Sequence, residues 1–164
     1  MQTYSSERVY DGIPLTNERI DFSGTLLDGH TVATLKCTGM QTNVGKSTNG
    51  FEIIIIDSQG KDVTDHYKIN KKLGTLNVTA REIHVTAKSA EKDYDDTPLV
   101  LNEYELTGTL SDGDSIYVKI TGSQTNPGYS VNKIQSIVIK NEAGIDVSSN
   151  YKITHTNGLL TVNW

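Results

Sequence analysis

Apolar side chains along this chain fall in short alternating runs between turn residues, and no stretch sustains a 3.6-residue period. In Ser115-Ile116-Tyr117-Val118-Lys119-Ile120 every second side chain is aliphatic, the pattern of a strand with one buried face. The same reading predicts strands over 83–88, 99–107, 115–121, 133–141, 151–155 and 159–163, and expects the first half to repeat them at its own positions. Asp28-Gly29 and Asp112-Gly113 mark hairpins, and Asn126-Pro127-Gly128 reads as a type II turn. One run breaks the alternation: residues 51–56, FEIIII, are apolar on both faces. That predicts a central or doubly covered strand, with an exposed edge as the alternative.

The pattern is written twice. VYDGIPL at 9–15 returns as DYDDTPL at 93–99, GTLLDGH at 24–30 as GTLSDGD at 108–114, and TGMQTNVG at 38–45 as TGSQTNPG at 121–128. GKDVTDHYKI at 60–69 returns as GIDVSSNYKI at 144–153. The spacing is 84 residues at both ends and 83 from Gly39/Gly122 to Gly45/Gly128, so one deletion and one compensating insertion separate the copies. This predicts two tandem domains, 1–80 and 81–164, each building its own small core. The direct join through Thr79-Ala80-Arg81-Glu82, without a Gly- or Pro-rich linker, predicts limited bending between them. The second copy opens with REIHVTAKSAEKDYD and the first with only MQTYSSERVYD, which predicts a clipped leading strand and a chain that continues upstream in its natural context.

Charge narrows the partners. With 15 Lys and Arg against 20 Asp and Glu the net charge is −5, and no basic cluster exists to release counterions from nucleic acid or to bind an anionic membrane. No apolar run is long enough for a spanning helix. Cys37 is the single cysteine, so no internal disulfide forms. The repeat aligns Ala33, Leu35 and Cys37 with Ile116, Val118 and Ile120, which predicts a core role for Cys37.

Motifs with chemistry fail on inspection. Gly45-Lys46-Ser47 matches the end of a phosphate loop, but the required earlier glycine position is Met40 and no helical pattern follows. Asp57-Ser58-Gln59-Gly60 hints at a calcium loop, yet the twelfth position is Lys68, and a hairpin turn is the expected structure. His30, His66, His84 and His155 do not recur between copies and lack metal-ligand spacing. No catalytic residues, metal ligands or cofactors are therefore predicted. Tyr10/Tyr94 and Tyr67/Tyr151 recur, which suggests structural turns with satisfied hydroxyls. Tyr104, Tyr117 and Tyr129 do not recur and are the candidate ligand-binding residues.

Taken together, YDG-x-P-L, L-x-DGH, TG-x-QTN-x-G, GxDVTxxYxI and the closing GTLxV resemble the YDG-type or MBG-type repeat of bacterial surface proteins, grouped with bacterial immunoglobulin-like adhesin modules. The resemblance spans both copies, with Asp96 standing where the glycine of the second YDG is expected. It implies tandem all-β modules of a secreted or cell-wall-associated adhesin-like protein, without catalytic residues. The expected fold is a pair of small immunoglobulin-like β-sandwiches, with a β-grasp-like topology as the alternative. The expected function is a non-enzymatic extracellular spacer whose partners are neighbouring repeat modules. The alternative is an adhesin module that binds host glycan, mucin or protein.

Overall fold

The computed structural model describes all residues from Met1 to Trp164 and is all-β, with two short 3-10 turns, Thr64–His66 and Ser148–Asn150, as its only helical segments. The chain forms two compact units, Met1–Thr79 and Ala80–Trp164. No helix is long and apolar enough to cross a membrane.

The first unit contains β1 (Gln2–Thr3), β2 (Ser6–Val9), β3 (Ile20–Asp21), β4 (Thr31–Cys37), β5 (Gly45–Asn49), β6 (Phe51–Ile56) and β7 (Gly74–Thr79). They pair as β1-β3, β2-β7-β5 and β4-β6. The second unit contains β8 (Arg81–Ala87), β9 (Ala90–Asp93), β10 (Tyr104–Thr107), β11 (Ser115–Ile120), β12 (Gly128–Asn132), β13 (Ile134–Lys140), β14 (Tyr151–Thr156) and β15 (Gly158–Asn163). Its ladders are β10-β8-β14, β12-β15-β9 and β11-β13.

The first and last strands of each unit run parallel. In the second unit β14 lies beside β8 from Tyr151↔Arg81 to Thr156↔Thr86, and β15 continues beside β9 to Asn163↔Asp93. The partners keep one sequence separation, seen in the side-chain bonds that span the pair at |i−j| of 70. This is one long parallel ribbon, broken once, that passes from one sheet to the next. The first unit keeps the same register in β2∥β7, from Ser6↔Leu76 to Val9↔Thr79.

The repeat's two spacing slips are β-bulges. Val32 faces Ile55 and Thr34 faces Ile54, leaving Ala33 without an opposite residue. In the second unit Ile120 faces Ile134 and Lys119 faces Ser136, so Gln135 is the extra residue. A one-residue insertion would otherwise turn every later side chain to the wrong face, and a bulge absorbs it. One expectation is thereby corrected: Ala33 is exposed, and Val32 takes the place of Ile116. Leu35 and Cys37 point inward as expected, and Cys37 is half-buried.

Other departures have local causes. The 99–107 strand shortens to β10, and Leu99 makes only an isolated bridge to Gln124. Strands β9 and β12 lie in AEKD and GYSVN, sequences too polar or glycine-led to announce themselves. Asn126 and Pro127 form a bend that leads directly into β12, whose first residue, Gly128, has φ 139°. Strand β6 is neither central nor a bare edge. It pairs only with β4, and its far side is held by the Asp62–Val63–Thr64 turn, through Val63 N to Ile55 O at 2.8 Å and Ile55 N to Thr64 Oγ1 at 2.8 Å. Residues 67–71, aligned with the start of β14, form no strand at all. The first unit therefore does not repeat the second strand for strand.

Two recurring asparagines, which the sequence reading passed over, hold the break in each parallel ribbon. Asn132 is fully buried and donates Nδ2 to Lys88 O and Leu101 O, both at 2.9 Å. Asn49 is equally buried and donates to Tyr4 O at 3.0 Å and Asn17 O at 2.9 Å. Lys88 and Tyr4 lie where the leading strand leaves its ladder, so these carbonyls would otherwise be buried without donors. A methyl group at Gly122 or Gly39 would overlap Asn132 Oδ1 or Asn49 Oδ1, which explains why each asparagine keeps its glycine. The YDG position follows a similar logic: Gly12 has φ 75°, and Asp96 at the matching site is the only non-glycine residue with positive φ, at 63°.

Candidate functional site

The three candidate tyrosines do not converge. Tyr104, on β10, is half-buried and packs against the Val85, Ala87 and Ile134 core, so it is a structural residue. Tyr117 is 58% exposed on β11, with Lys140 Nζ 5.7 Å from its ring centre. Tyr129 is 76% exposed on β12, in a different ladder. The aromatic rings that do meet at the surface are Tyr94 and Trp164, with centroids 6.0 Å apart and exposures of 40% and 94%. Trp164 was overlooked because it stands alone, outside every repeated motif.

The recurring tyrosines fasten turns. Tyr67 Oη accepts from Leu27 N at 3.0 Å and bonds His30 Nδ1 at 2.7 Å. Tyr151 Oη accepts from Ser111 N at 2.9 Å and donates to Asp114 at 2.5 Å. His30 and Asp114 occupy one repeat position, so the role recurs although the residue does not. The motif aspartates cap turns too. Asp62 accepts from Thr64 Oγ1 and Thr64 N, and Asp146 accepts from the Ser148 hydroxyl and Ser148 N, which holds both carboxyls below their ordinary range. Asp95 accepts from Lys92 Nζ at 2.8 Å and from Thr97, and its pKa falls to about 2.

The rejected motifs lie in ordinary structure. Gly45-Lys46-Ser47 starts strand β5, paired with β7. Asp57 Oδ1 accepts from Gln59 N and Lys61 N inside a hairpin turn. His84 spends both ring nitrogens on Thr154 Oγ1 and Thr156 Oγ1, at 2.6 and 2.9 Å, across the β8–β14 pair. No three His, Cys, Asp or Glu side chains gather as a metal site.

One concavity lies in the first unit. It holds about 190 Å³ and is lined by residues 22–26 on one side and 67–70 on the other, with Ile53 and Ile55 as its floor. Leu26, Tyr67 and Ile69 are half-buried in its walls and Phe22 is 40% exposed, while Ser23, Thr25, Lys68 and Asn70 make the rest of the lining polar. It contains no converging acid, base or nucleophile. A shallower groove of about 330 Å³ in the second unit is lined by Glu82, His84, Thr107, Gly108, Lys152 and Thr154. Its polar groups are already paired, Lys152 with Glu82 at 3.4 Å and His84 with the threonines.

Set beside known proteins, the chain matches no protein-family model and no curated protein.

Proposed function

We propose that this chain is a non-enzymatic, load-bearing spacer from an extracellular, surface-associated bacterial protein, built of tandem β modules. The parallel ribbon carries this reading. Arg81 and Asn163 lie at opposite ends of the β8–β9/β14–β15 pair, so tension on the two ends of the second unit shears the ladder lengthwise. Hydrogen bonds sheared together must break together, whereas a hairpin pulled from its open end unzips one bond at a time. The recurring residues support the same role, since the buried asparagines, turn tyrosines and capping aspartates all serve the framework. The immunoglobulin-like or β-grasp-like description of each module belongs to this proposal, as do neighbouring repeats as partners.

Single-molecule stretching of the full chain tests it. The second unit should release about 28 nm of contour as one high-force event. The first unit, whose ribbon has four pairs in β2∥β7 and the single Gln2–Lys72 bridge, should yield at lower force. Gradual extension of the second unit without a force peak would refute the load-bearing role.

The exposed Tyr94–Trp164 pair favours one second reading, in which an aromatic platform stacks on a host glycan or mucin sugar. A glycan array probed with the native chain and with Trp164→Ala decides it, because sugar binding through this platform must vanish in the variant.

A further inference from the structure

The outer face of the β12-β15-β9 sheet differs in kind from its counterpart in the first unit. On β5 and β7 the outward pairs are Lys46↔Asn77 and Thr48↔Thr75, and Lys46, Thr75 and Asn77 line one shallow groove. On β12 and β15 the same register positions hold Tyr129↔Thr161 and Val131↔Leu159. Tyr129 is 76% exposed, Val131 53% and Leu159 44%. Three neighbouring apolar side chains therefore stand in solvent where the first copy carries a lysine and two threonines. A contiguous apolar set with a polar rim marks a contact surface, which scattered apolar residues do not.

This patch borders an unpaired strand edge. Strand β12 has β15 on one side and no ladder on the other. Leu159 N donates to Ser89 Oγ on the β9 side, so Gly158 and Leu160 turn their backbone groups toward β12. The Asn132↔Gly158 and Ser130↔Leu160 pairs then occupy the inward groups of β12, and the N–H and C=O of Tyr129 and Val131 point out of the edge. Folded proteins guard such edges with charge, lysine above all. Lys46 stands on the β5 edge, whereas β12, GYSVN, contains no charged side chain.

The β12 edge is complementary to itself. A two-fold axis through Ser130 sets Tyr129 of each copy opposite Val131 of the other, so the outward backbone groups meet in four hydrogen bonds. Each row across the join then reads Leu159, Val131, Tyr129, Thr161, with an aromatic–β-branched pair at its centre, a favourable cross-strand combination. No like charges are opposed. The same register on β5 would set two Lys46 side chains on one diagonal, which opposes pairing there. Two identical edges joined by a two-fold axis close at a dimer. Five residues cover well under the roughly 800 Å² per partner of a standard interface, so the association is weak and reversible.

We propose that β12 is a homotypic docking edge, through which two copies of this chain join their second units into one continuous sheet, antiparallel across Ser130. This inference is independent of the load-bearing reading.

Sedimentation of the full chain, from about 10 µM to about 2 mM, should show a monomer–dimer equilibrium with a Kd of about 0.1–1 mM. The double variant Tyr129→Lys/Val131→Thr carries the residues that β5 holds at these positions, and its association should weaken at least about tenfold. In an equal mixture of labelled and unlabelled chain, isotope-filtered NOEs should join the Tyr129 ring to the Val131 methyls of the other copy. A chain that stays monomeric to about 2 mM, a variant that dimerises equally, or intermolecular NOEs only elsewhere would overturn the proposal. Maltohexaose added to a chain that stays monomeric offers the other occupant: shifts at Tyr129 and Leu159 would make the face a sugar platform and overturn the proposal as well.

Discussion

Replacing Asn132 by Asp changes one NH₂ group for an oxygen and should be among the most damaging substitutions in the second unit. The side chain is fully buried, and its Nδ2 hydrogens go to Lys88 O and Leu101 O at 2.9 Å. Two buried hydrogen bonds are lost, about 1–1.5 kcal/mol each, and two carbonyl oxygens are left facing a carboxylate. Burying that charge without a partner adds several kcal/mol, so the total loss is at least about 4 kcal/mol at neutral pH. A unit of this size has roughly 4–13 kcal/mol of stability in all, so much of it goes. The sign with pH follows from burial. Desolvation raises the folded-state pKa of the new carboxyl above its unfolded value. The variant is therefore most stable below the unfolded pKa, where the neutral acid can donate to one carbonyl, and it loses stability as pH rises through the folded pKa. Urea unfolding followed on amide signals of residues 80–164, at pH 4 and pH 7.5 beside Asn132→Ala, measures both effects. A variant within 1 kcal/mol of the native chain at pH 7.5 and flat with pH would refute the account of the ribbon break.

Gly24→Ala and Gly108→Ala share the strain of positive φ, at 115° and 93°, so their difference isolates the closeness of β8. Gly108→Ala should cost about 1–3 kcal/mol more in thermal or urea unfolding, because a methyl group there would lie 2.8 Å from Glu82 O and one at Gly24 would meet nothing within 4 Å, and equal costs would contradict the close approach of β8 to Gly108. The Asp95 carboxyl, held by Lys92 and Thr97, should titrate by NMR near a pH of about 2. Its folded pKa lies below its unfolded one, so its stabilising contribution is present above its ordinary value of 3.8 and is lost as pH falls through about 2; Lys92→Ala should move the midpoint upward. Burial, aided by the Glu18 carboxylate, pushes the Cys37 thiol above its ordinary 9.0, so iodoacetamide at pH 8 should alkylate it more slowly than a free cysteine peptide. Urea should abolish that protection, and native-state reactivity equal to the peptide's would contradict the inward placement of Cys37.

The all-β character was legible in the chain because two-residue alternation and turn residues act locally. Ile116-Tyr117-Val118 announces a strand wherever it ends up. The duplication sharpened that reading, since a position filled in both copies by one residue type reports a shared physical requirement. Asp96 shows that the requirement can outlast the residue type: it stands where the first copy has Gly12 and keeps the same left-handed backbone. The same comparison contained Asn49 and Asn132, but a buried asparagine looks like a turn asparagine until its carbonyl partners, 44 and 31 residues away in the second unit, are in place.

Strand order, the parallel ribbon and the places where the spacing slips belong to the tertiary structure. A spacing change of one residue is visible in sequence, but only the ladders show it absorbed as bulges at Ala33 and Gln135. Residues 67–71 and 151–155 carry near-identical patterns, yet only the second set forms a strand, because β8 supplies its hydrogen-bonding partner. Local propensity proposes a strand, and a neighbour at hydrogen-bonding distance makes one. The separation of Tyr104, Tyr117 and Tyr129 onto different ladders, and the open groove beside Gly24, follow from the same non-local pairing.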